Sequence, residues 1–396
     1  MLSLRFHLFF ALVFSSSVLA QSPATGPWDV KALQSAEVKP EWGEVAGKVR
    51  QVYYPGEPYH GKPTRVFAYY GRPDGDGPFP AMVLVHGGGG KAFEKWAEHW
   101  AARGYCALAM DLAGNGPKGR LADGGPDQGD ESKFRDFTDK DVRDMWTYHA
   151  VAAVLRGHTL LASLNEVDKN KIAMTGISWG GYLTCIVAGL DDRLKAAVPV
   201  YGCGFLHENS VWKPKLDGFA AERRDRWVKA FDPSLYLPGV KCPILFLNGT
   251  NDFAYPLDSY QKCYQLVKSP TTLSVQVRLP HGHIWTFKEV DAFIDSHLMK
   301  GEPLPTIGKM TKSGEVVFSA IAGKGKVRSG QLHYAVGSGP WQKREWKSLP
   351  GEIRDGKLTA NVPTERPLVY FLEITDERGL KVSTAHEVLP TGEAKK

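Results

Sequence analysis

The chain has 396 residues, 43% of them apolar and 23% charged, which describes a globular protein of about two domains and excludes a disordered or low-complexity one. Its net charge of +6 comes from Lys and Arg scattered along the sequence, without the basic run or face that nucleic-acid binding requires. The apolar stretches fall short of the ~20 residues of a spanning helix, and no cysteine pair has metal-ligand spacing, so the mature chain is expected to hold no membrane span and no metal.

In chain order, the first segment reads as a secretory signal over residues 1–20. Arg5 and His7 form a weakly basic start, Leu8–Phe14 is a short apolar run, and Val18-Leu19-Ala20 offers a small-residue cleavage site. A secreted or periplasmic location is the expectation. Over residues 21–300 short apolar runs alternate with amphipathic stretches. Strands are predicted at Lys48–Tyr54, Arg65–Tyr70, Ala81–Val85, Cys106–Met110, Lys171–Thr175, Ala196–Val200, Ile244–Asn248 and Leu273–Leu279. Helices are predicted at Phe93–Arg103, Asp141–Leu164, Tyr182–Leu190, Leu257–Val267 and Phe287–Leu298. Strands interleaved with helices imply an α/β domain with a mostly parallel sheet covered on both faces, the first two strands forming an antiparallel edge. Residues 301–396 differ. After the linker Gly301–Pro305 come short alternating segments separated by turn residues, the texture of a small all-β, immunoglobulin-like sandwich.

The strongest chemical signal is Gly176-Ile177-Ser178-Trp179-Gly180-Gly181, placed between a predicted strand and a predicted helix. G-x-S-x-G in that setting is a nucleophile elbow, where the chain turns so sharply that flanking side chains would collide. Upstream, Val83-Leu84-Val85 runs into His86-Gly87-Gly88-Gly89-Gly90. Such a loop lets backbone N–H groups approach a developing oxyanion, here Gly88 or Gly89 together with Trp179. His86 is read as a structural holder of that loop. No phosphate-binding glycine pattern follows it, and no cofactor is expected.

A nucleophilic serine needs a base, and the base needs an orienting acid. Asp252 follows the strand Ile244–Asn248, just past its C-terminal end, where sites in open α/β sheets lie. The next strand leads into Pro280-His281-Gly282-His283. His283, one loop step out after a glycine, is the expected base, with His281 as the alternative. Asp191-Asp192, Asp232 and Asp258 read as caps or turn starts. Asn248-Gly249-Thr250 matches a glycosylation sequon but stands at a strand end, where a chance match is the better reading.

These motifs, together with Asp111-Leu112-Ala113-Gly114 and Asn248–Phe253, resemble the α/β-hydrolase branch that includes acetyl xylan esterases, dienelactone hydrolases and the catalytic domains of prolyl oligopeptidases. The resemblance spans about Val45 to Leu298. It implies an α/β-hydrolase fold and a triad of Ser178, Asp252 and His283. Serine at the elbow departs from the dienelactone hydrolases, which use cysteine, and the large propeller of prolyl oligopeptidases is not expected before this domain. The resemblance implies hydrolysis of carboxylic esters, with a serine exopeptidase or amidase as the alternative and a non-catalytic binding protein as a third reading. An exported chain with eleven tryptophans suits a small-molecule or carbohydrate ester, with Trp28, Trp212 and Trp285 as candidate sugar-stacking residues. The long connection from Gly202 to Pro238 is expected to form a lid or pocket wall. Nothing in the sequence fixes an oligomeric state.

Overall fold

A computed structural model describes residues 25–322 and 326–391, so the expected signal segment lies outside the described residues. The N-terminal unit begins with helix α1 (Val30–Ser35) and an antiparallel run of β1 (Glu41–Ala46), β2 (Val49–Pro55) and β3 (Arg65–Gly71). Then come β4 (Phe79–Val85), α2 (Glu94–Ala102), β5 (Cys106–Met110), a small ribbon of β6 (Asn115–Gly116) and β7 (Gly119–Arg120), α3 (Asp130–Phe134), α4 (Trp146–Ser163), β8 (Val167–Ile177), α5 (Trp179–Leu190) and β9 (Ala197–Val200). After α6 (Lys213–Asp217) and α7 (Ala221–Phe231) the unit finishes with β10 (Ile244–Gly249), α8 (Leu257–Gln265), β11 (Thr271–Gln276) and α9 (Lys288–Leu298).

The sheet order is β1-β2-β3-β5-β4-β8-β9-β10-β11, parallel from β5 through to β11. This is the expected α/β-hydrolase architecture. The edge strand is β1, which sequence reading missed, so the two predicted antiparallel strands lie one place further in. Strands β5 and β10 are buried at every residue, because helices cover both faces of a parallel sheet and leave no polar side. Helices α4 and α5 are apolar around most of their circumference for the same reason. Several predicted ends shift, two of them for a local reason. β11 stops at Gln276 because Arg278 takes a φ of 54°, outside extended geometry. α4 starts at Trp146, after a separate 3-10 turn at Val142–Asp144.

The register places the site. Val85 pairs with Gly176, Ile177 with Val200, and Val200 with Leu247. The carboxyl ends of β4, β8, β9 and β10 therefore end level with one another, and the loops leaving them meet at one rim.

The C-terminal unit is all-β: β12 (Thr306–Ile307), β13 (Thr311–Ser313), β14 (Val316–Ala322), β15 (Val327–Val336), β16 (Trp346–Arg354), β17 (Lys357–Asn361), β18 (Leu368–Asp376), β19 (Lys381–Ser383) and β20 (Glu387–Leu389). Its ladder runs β12-β14-β17-β16-β15-β18-β19. Strand β16 was not foreseen, since Pro350-Gly351 in its middle reads as a turn. That dipeptide is where β16 changes partner, from β15 up to Gly351 to β17 from Glu352 onward. Gly330 and Gly351 both close on the buried side chain of Leu358, where a Cβ on either would stand 2.4 Å from Leu358 Cδ1. The ladder thus curls over its own apolar face, as a sandwich does.

This unit shares an apolar core with the N-terminal unit, Leu332, Leu358 and Tyr370 joining the cluster that holds Phe293 and Ile294 of α9. Polar ties reinforce the contact. Val275 N–H donates to Ser383 Oγ at 2.9 Å, and Gln261 Nε2 donates to the His386 carbonyl at 2.8 Å.

Candidate active site

Ser178 has φ 56° and ψ −120°, a conformation that costs a non-glycine residue on the order of 1–3 kcal/mol. The surroundings impose it. Its N–H donates to the Val200 carbonyl at 2.9 Å, and its own carbonyl accepts from Tyr182 N–H at 2.9 Å, opening α5. The elbow glycines are sterically required: a Cβ on Gly176 would meet Gly180 O at 2.3 Å, and one on Gly180 would meet Val85 O at 2.1 Å. Trp179 occupies the first position of α5, so its N–H has no acceptor within the helix.

The glycine loop lies beside it. His86 is buried and accepts from Leu112 N–H through Nε2 at 2.9 Å, so its Nδ1 carries the proton and donates to the Gly87 carbonyl at 2.7 Å. Burial holds this imidazole neutral by lowering its pKa. Gly87 to Gly90 close a tight turn, Gly90 N–H donating to Gly87 O at 3.1 Å. Gly88 lies against the edge of the Trp179 indole, where a Cβ would stand 2.9 Å from Trp179 Cδ1. Gly89 points to open space with φ 68°.

Asp252 is buried and its two oxygens divide their work. Oδ1 accepts from Ala254 N–H at 2.9 Å and Tyr255 N–H at 2.8 Å, closing the turn after β10. Oδ2 lies 2.7 Å from Nδ1 of His281. These partners are what make a buried carboxylate tolerable. The neighbouring Asn251 donates through Nδ2 to the carbonyls of Gln342 and Arg344, at 3.2 and 2.8 Å, so the C-terminal unit grips this turn.

Here the structure corrects the expected assignment of the histidines. His281, not His283, is joined to Asp252. The reason is anchorage of the loop: the Tyr201 hydroxyl donates to the Gly282 carbonyl between the two histidines, and the His281 ring lies 4.3 Å from the Tyr201 ring. His283 falls on the far side, 5.1 Å from the Phe93 ring, with a buried, unpartnered Nε2 directed at Gly87 and Gly90. Burial lowers its pKa, and it stays neutral near pH 7.

A cavity of about 270 Å³ joins these groups, lined by Gly88, Ser178, Trp179, Trp212, Phe253 and His281 among others. Ser178, the glycine loop, Asp252 and both histidines thus come together, and Trp212 on the long Gly202–Pro238 connection walls the cavity. A larger hollow of about 420 Å³ between Thr271–Leu273 and Pro303–Lys309 holds no bonded nucleophile–base pair. The remaining sequence candidates fall elsewhere. Trp28 is core, donating through Nε1 to Tyr148 O at 3.0 Å. Trp285 stacks on Phe93 and Trp96 outside the cavity. Asp191, expected as a solvated cap, is buried and paired with His158 and Arg193 at 2.8 Å each. Asn248 is buried with its amide on Tyr255 O, which removes the sequon from glycosylation. Tyr255 and Phe253 were missed; both lie within three residues of Asp252, which was the available signal. All five cysteines are buried thiols, and no group of metal-ligating side chains occurs among the described residues. No described helix is long and apolar enough to cross a membrane.

The family model described as acetyl xylan esterase (AXE1) matches residues 31–233, just over half of the chain, a stretch containing the glycine loop and Ser178. Acetyl esterase Axe7A of Xylanibacter ruminicola is 22% identical over 249 residues, covering 57% of this chain and 54% of that protein. The chain thus spans about half the length of that relative. A putative carboxymethylenebutenolidase of Escherichia coli is 25% identical over 230 residues, covering 54% of this chain and 71% of that protein. Among solved structures, an acetyl xylan esterase from Paenibacillus sp. R4 superposes with a TM-score of 0.54 at 22% identity, covering 68% of this chain and 92% of that one. The likeness in structure is one of fold.

Proposed function

The chain belongs to the acetyl xylan esterase family, and we propose that it is a carboxylic ester hydrolase, an exported serine esterase removing small acyl groups, acetyl foremost, from carbohydrate. Ser178 is the nucleophile, His281 the base and Asp252 the group that orients it. The observation that carries this reading is the 2.7 Å bond from Asp252 Oδ2 to His281 Nδ1, in the same cavity as Ser178. It fixes the tautomer, leaving Nε2 of His281 to take the serine proton.

In this scheme Ser178 Oγ adds to the ester carbonyl as His281 accepts its proton. The N–H groups of Trp179 and Gly88 hold the oxyanion, aided by the positive end of α5. The alcohol leaves with the proton from His281, and water then releases the acid by the same steps. A cavity of about 270 Å³ closed by Trp179 and Trp212 favours a short acyl chain. The exposed Phe253 ring at the rim offers a face for a sugar ring. Export rests on the segment 1–20.

The test is release of acetate from acetylated xylan oligosaccharides and p-nitrophenol from p-nitrophenyl acetate, by the wild type and Ser178→Ala. The variant is expected to lose at least ~10⁴-fold in kcat. Full activity in Ser178→Ala removes the serine mechanism. Turnover of aminoacyl-nitroanilides in place of acetyl esters removes the substrate class.

A further inference from the structure

The steps above leave the Tyr255 hydroxyl, buried beside the nucleophile, without a task. Tyr255 lies three residues beyond Asp252 and is fully buried. Its backbone is held on both sides, the N–H on Asp252 Oδ1 at 2.8 Å and the carbonyl on Asn248 Nδ2 at 3.0 Å. Its ring is wedged between that of Trp212, 5.2 Å away, and that of His281, 6.3 Å away and within 8° of parallel. Held in this way, the phenol faces the Ser178 side chain, and no other group of the protein gives its oxygen a hydrogen bond.

Other buried tyrosines near the site are satisfied. The Tyr182 hydroxyl donates to Phe231 O, and the Tyr260 hydroxyl lies 3.1 Å from Pro199 O and 2.9 Å from Leu247 O. A buried donor without an acceptor is costly and rare in a settled core. One placed against a nucleophile gains its acceptor when charge develops there. We infer that Tyr255 is a further catalytic residue, its hydroxyl donating a hydrogen bond to Ser178 Oγ whenever that oxygen carries negative charge. The inference rests on Ser178 being the nucleophile.

Burial raises the phenol pKa far above its ordinary value, so Tyr255 stays protonated and donates a hydrogen bond without giving up its proton. During acylation the Ser178 proton passes to His281 while Oγ bonds to the acyl carbon. During deacylation water adds to that carbon and its proton passes to His281. The C–Oγ bond then breaks, and His281 returns the proton to Oγ. Tyr255 keeps its own proton throughout. Its effect is greater in deacylation, because a hydrogen bond assists a departing oxygen but also tempers an attacking one.

Stopped-flow hydrolysis of p-nitrophenyl acetate tests this with the wild type, Tyr255→Phe and Tyr260→Phe. Tyr255→Phe is expected to slow deacylation about 10- to 100-fold and to reveal a burst of p-nitrophenol, while fluorophosphonate labelling of Ser178 changes by less than about threefold. Tyr260→Phe removes a buried hydroxyl from the same core and is expected to lower Tm without a burst. Site-specific 3-fluorotyrosine at position 255 supplies a stronger donor of nearly the same shape, so deacylation shifts at constant Tm even where Tyr255→Phe folds poorly. Wild-type turnover in Tyr255→Phe, equal losses in both phenylalanine variants, or an unchanged rate with fluorotyrosine overturns the role of Tyr255 and leaves Ser178 standing. A wild-type protein that neither turns over the ester nor labels at Ser178 overturns the underlying reading instead.

Discussion

Asp252 grips His281 and leaves His283, two residues further along the same loop, to the glycine turn. Two imidazoles line one cavity, and a single carboxylate distinguishes them. His281→Ala is therefore expected to lower kcat on p-nitrophenyl acetate by ~10⁴-fold or more, as loss of a triad member does. His283→Ala loosens the loop and is expected to cost at most about 100-fold. The reverse ranking would return the base role to His283.

Asn251 ties the acid turn to the C-terminal unit through its bonds to Gln342 O and Arg344 O. Neutral hydrogen bonds are worth about 1 kcal/mol each, so Asn251→Ala should destabilise the protein by roughly 1–2 kcal/mol. Its neighbour Asp252 then loses registration, and kcat should fall about tenfold with KM little changed. Calorimetry and steady-state kinetics on one preparation check both halves. A drop in Tm with kcat intact would show that the C-terminal unit supports the fold alone.

Two adjacent glycines should respond differently to the same methyl group. At Gly90 a Cβ would stand 2.7 Å from His283 Nε2 and 2.8 Å from His86 Nδ1, so Gly90→Ala must displace the imidazoles that frame the oxyanion loop. Activity should fall about 100-fold or more. At Gly89 a Cβ meets nothing, and only the φ of 68° opposes it, at about 1 kcal/mol. Gly89→Ala is expected to keep most activity with a modest drop in Tm. Equal kinetics in the two variants would remove the loop from the reaction centre.

Stability should rise with pH across the acid range. Burial pushes the pKa of His149 down to about 4 and that of His386 down to about 3. At pH 5 both are neutral in the fold, whereas in the unfolded chain they bind protons below about 6.5. Unfolding therefore takes up protons, and stability is lost as pH falls from about 6.5 toward 4. Tm should drop by roughly 5–10 °C over that interval, and His386→Phe should flatten the slope. A Tm independent of pH there, or an unchanged slope in the variant, would contradict this account.

The parts legible in the sequence are those whose requirements are local. The elbow needs glycines beside Ser178 because backbone atoms of the same turn would clash with a side chain. Asp252 was legible from its place after a strand. The choice of histidine was not, because Tyr201, from β9's end, pins Gly282 from eighty-one residues away in sequence. The burial of Trp28 and Asp191 escaped for the same reason: Tyr148 and His158, their partners, lie on α4. Strand β16 was hidden by Pro350-Gly351, a dipeptide that marks a turn in most settings and here marks a change of partner strand.

No helix or strand runs between Gln276 and Lys288, so the loop bearing both histidines has no backbone ladder of its own. It is fastened by the Tyr201 hydroxyl on Gly282, by Asp252 on His281 and by Phe93 against His283. Such side-chain moorings release at lower temperature than a buried parallel sheet. On warming, then, the catalyst falls silent while the scaffold is still folded, and on prompt cooling the activity returns.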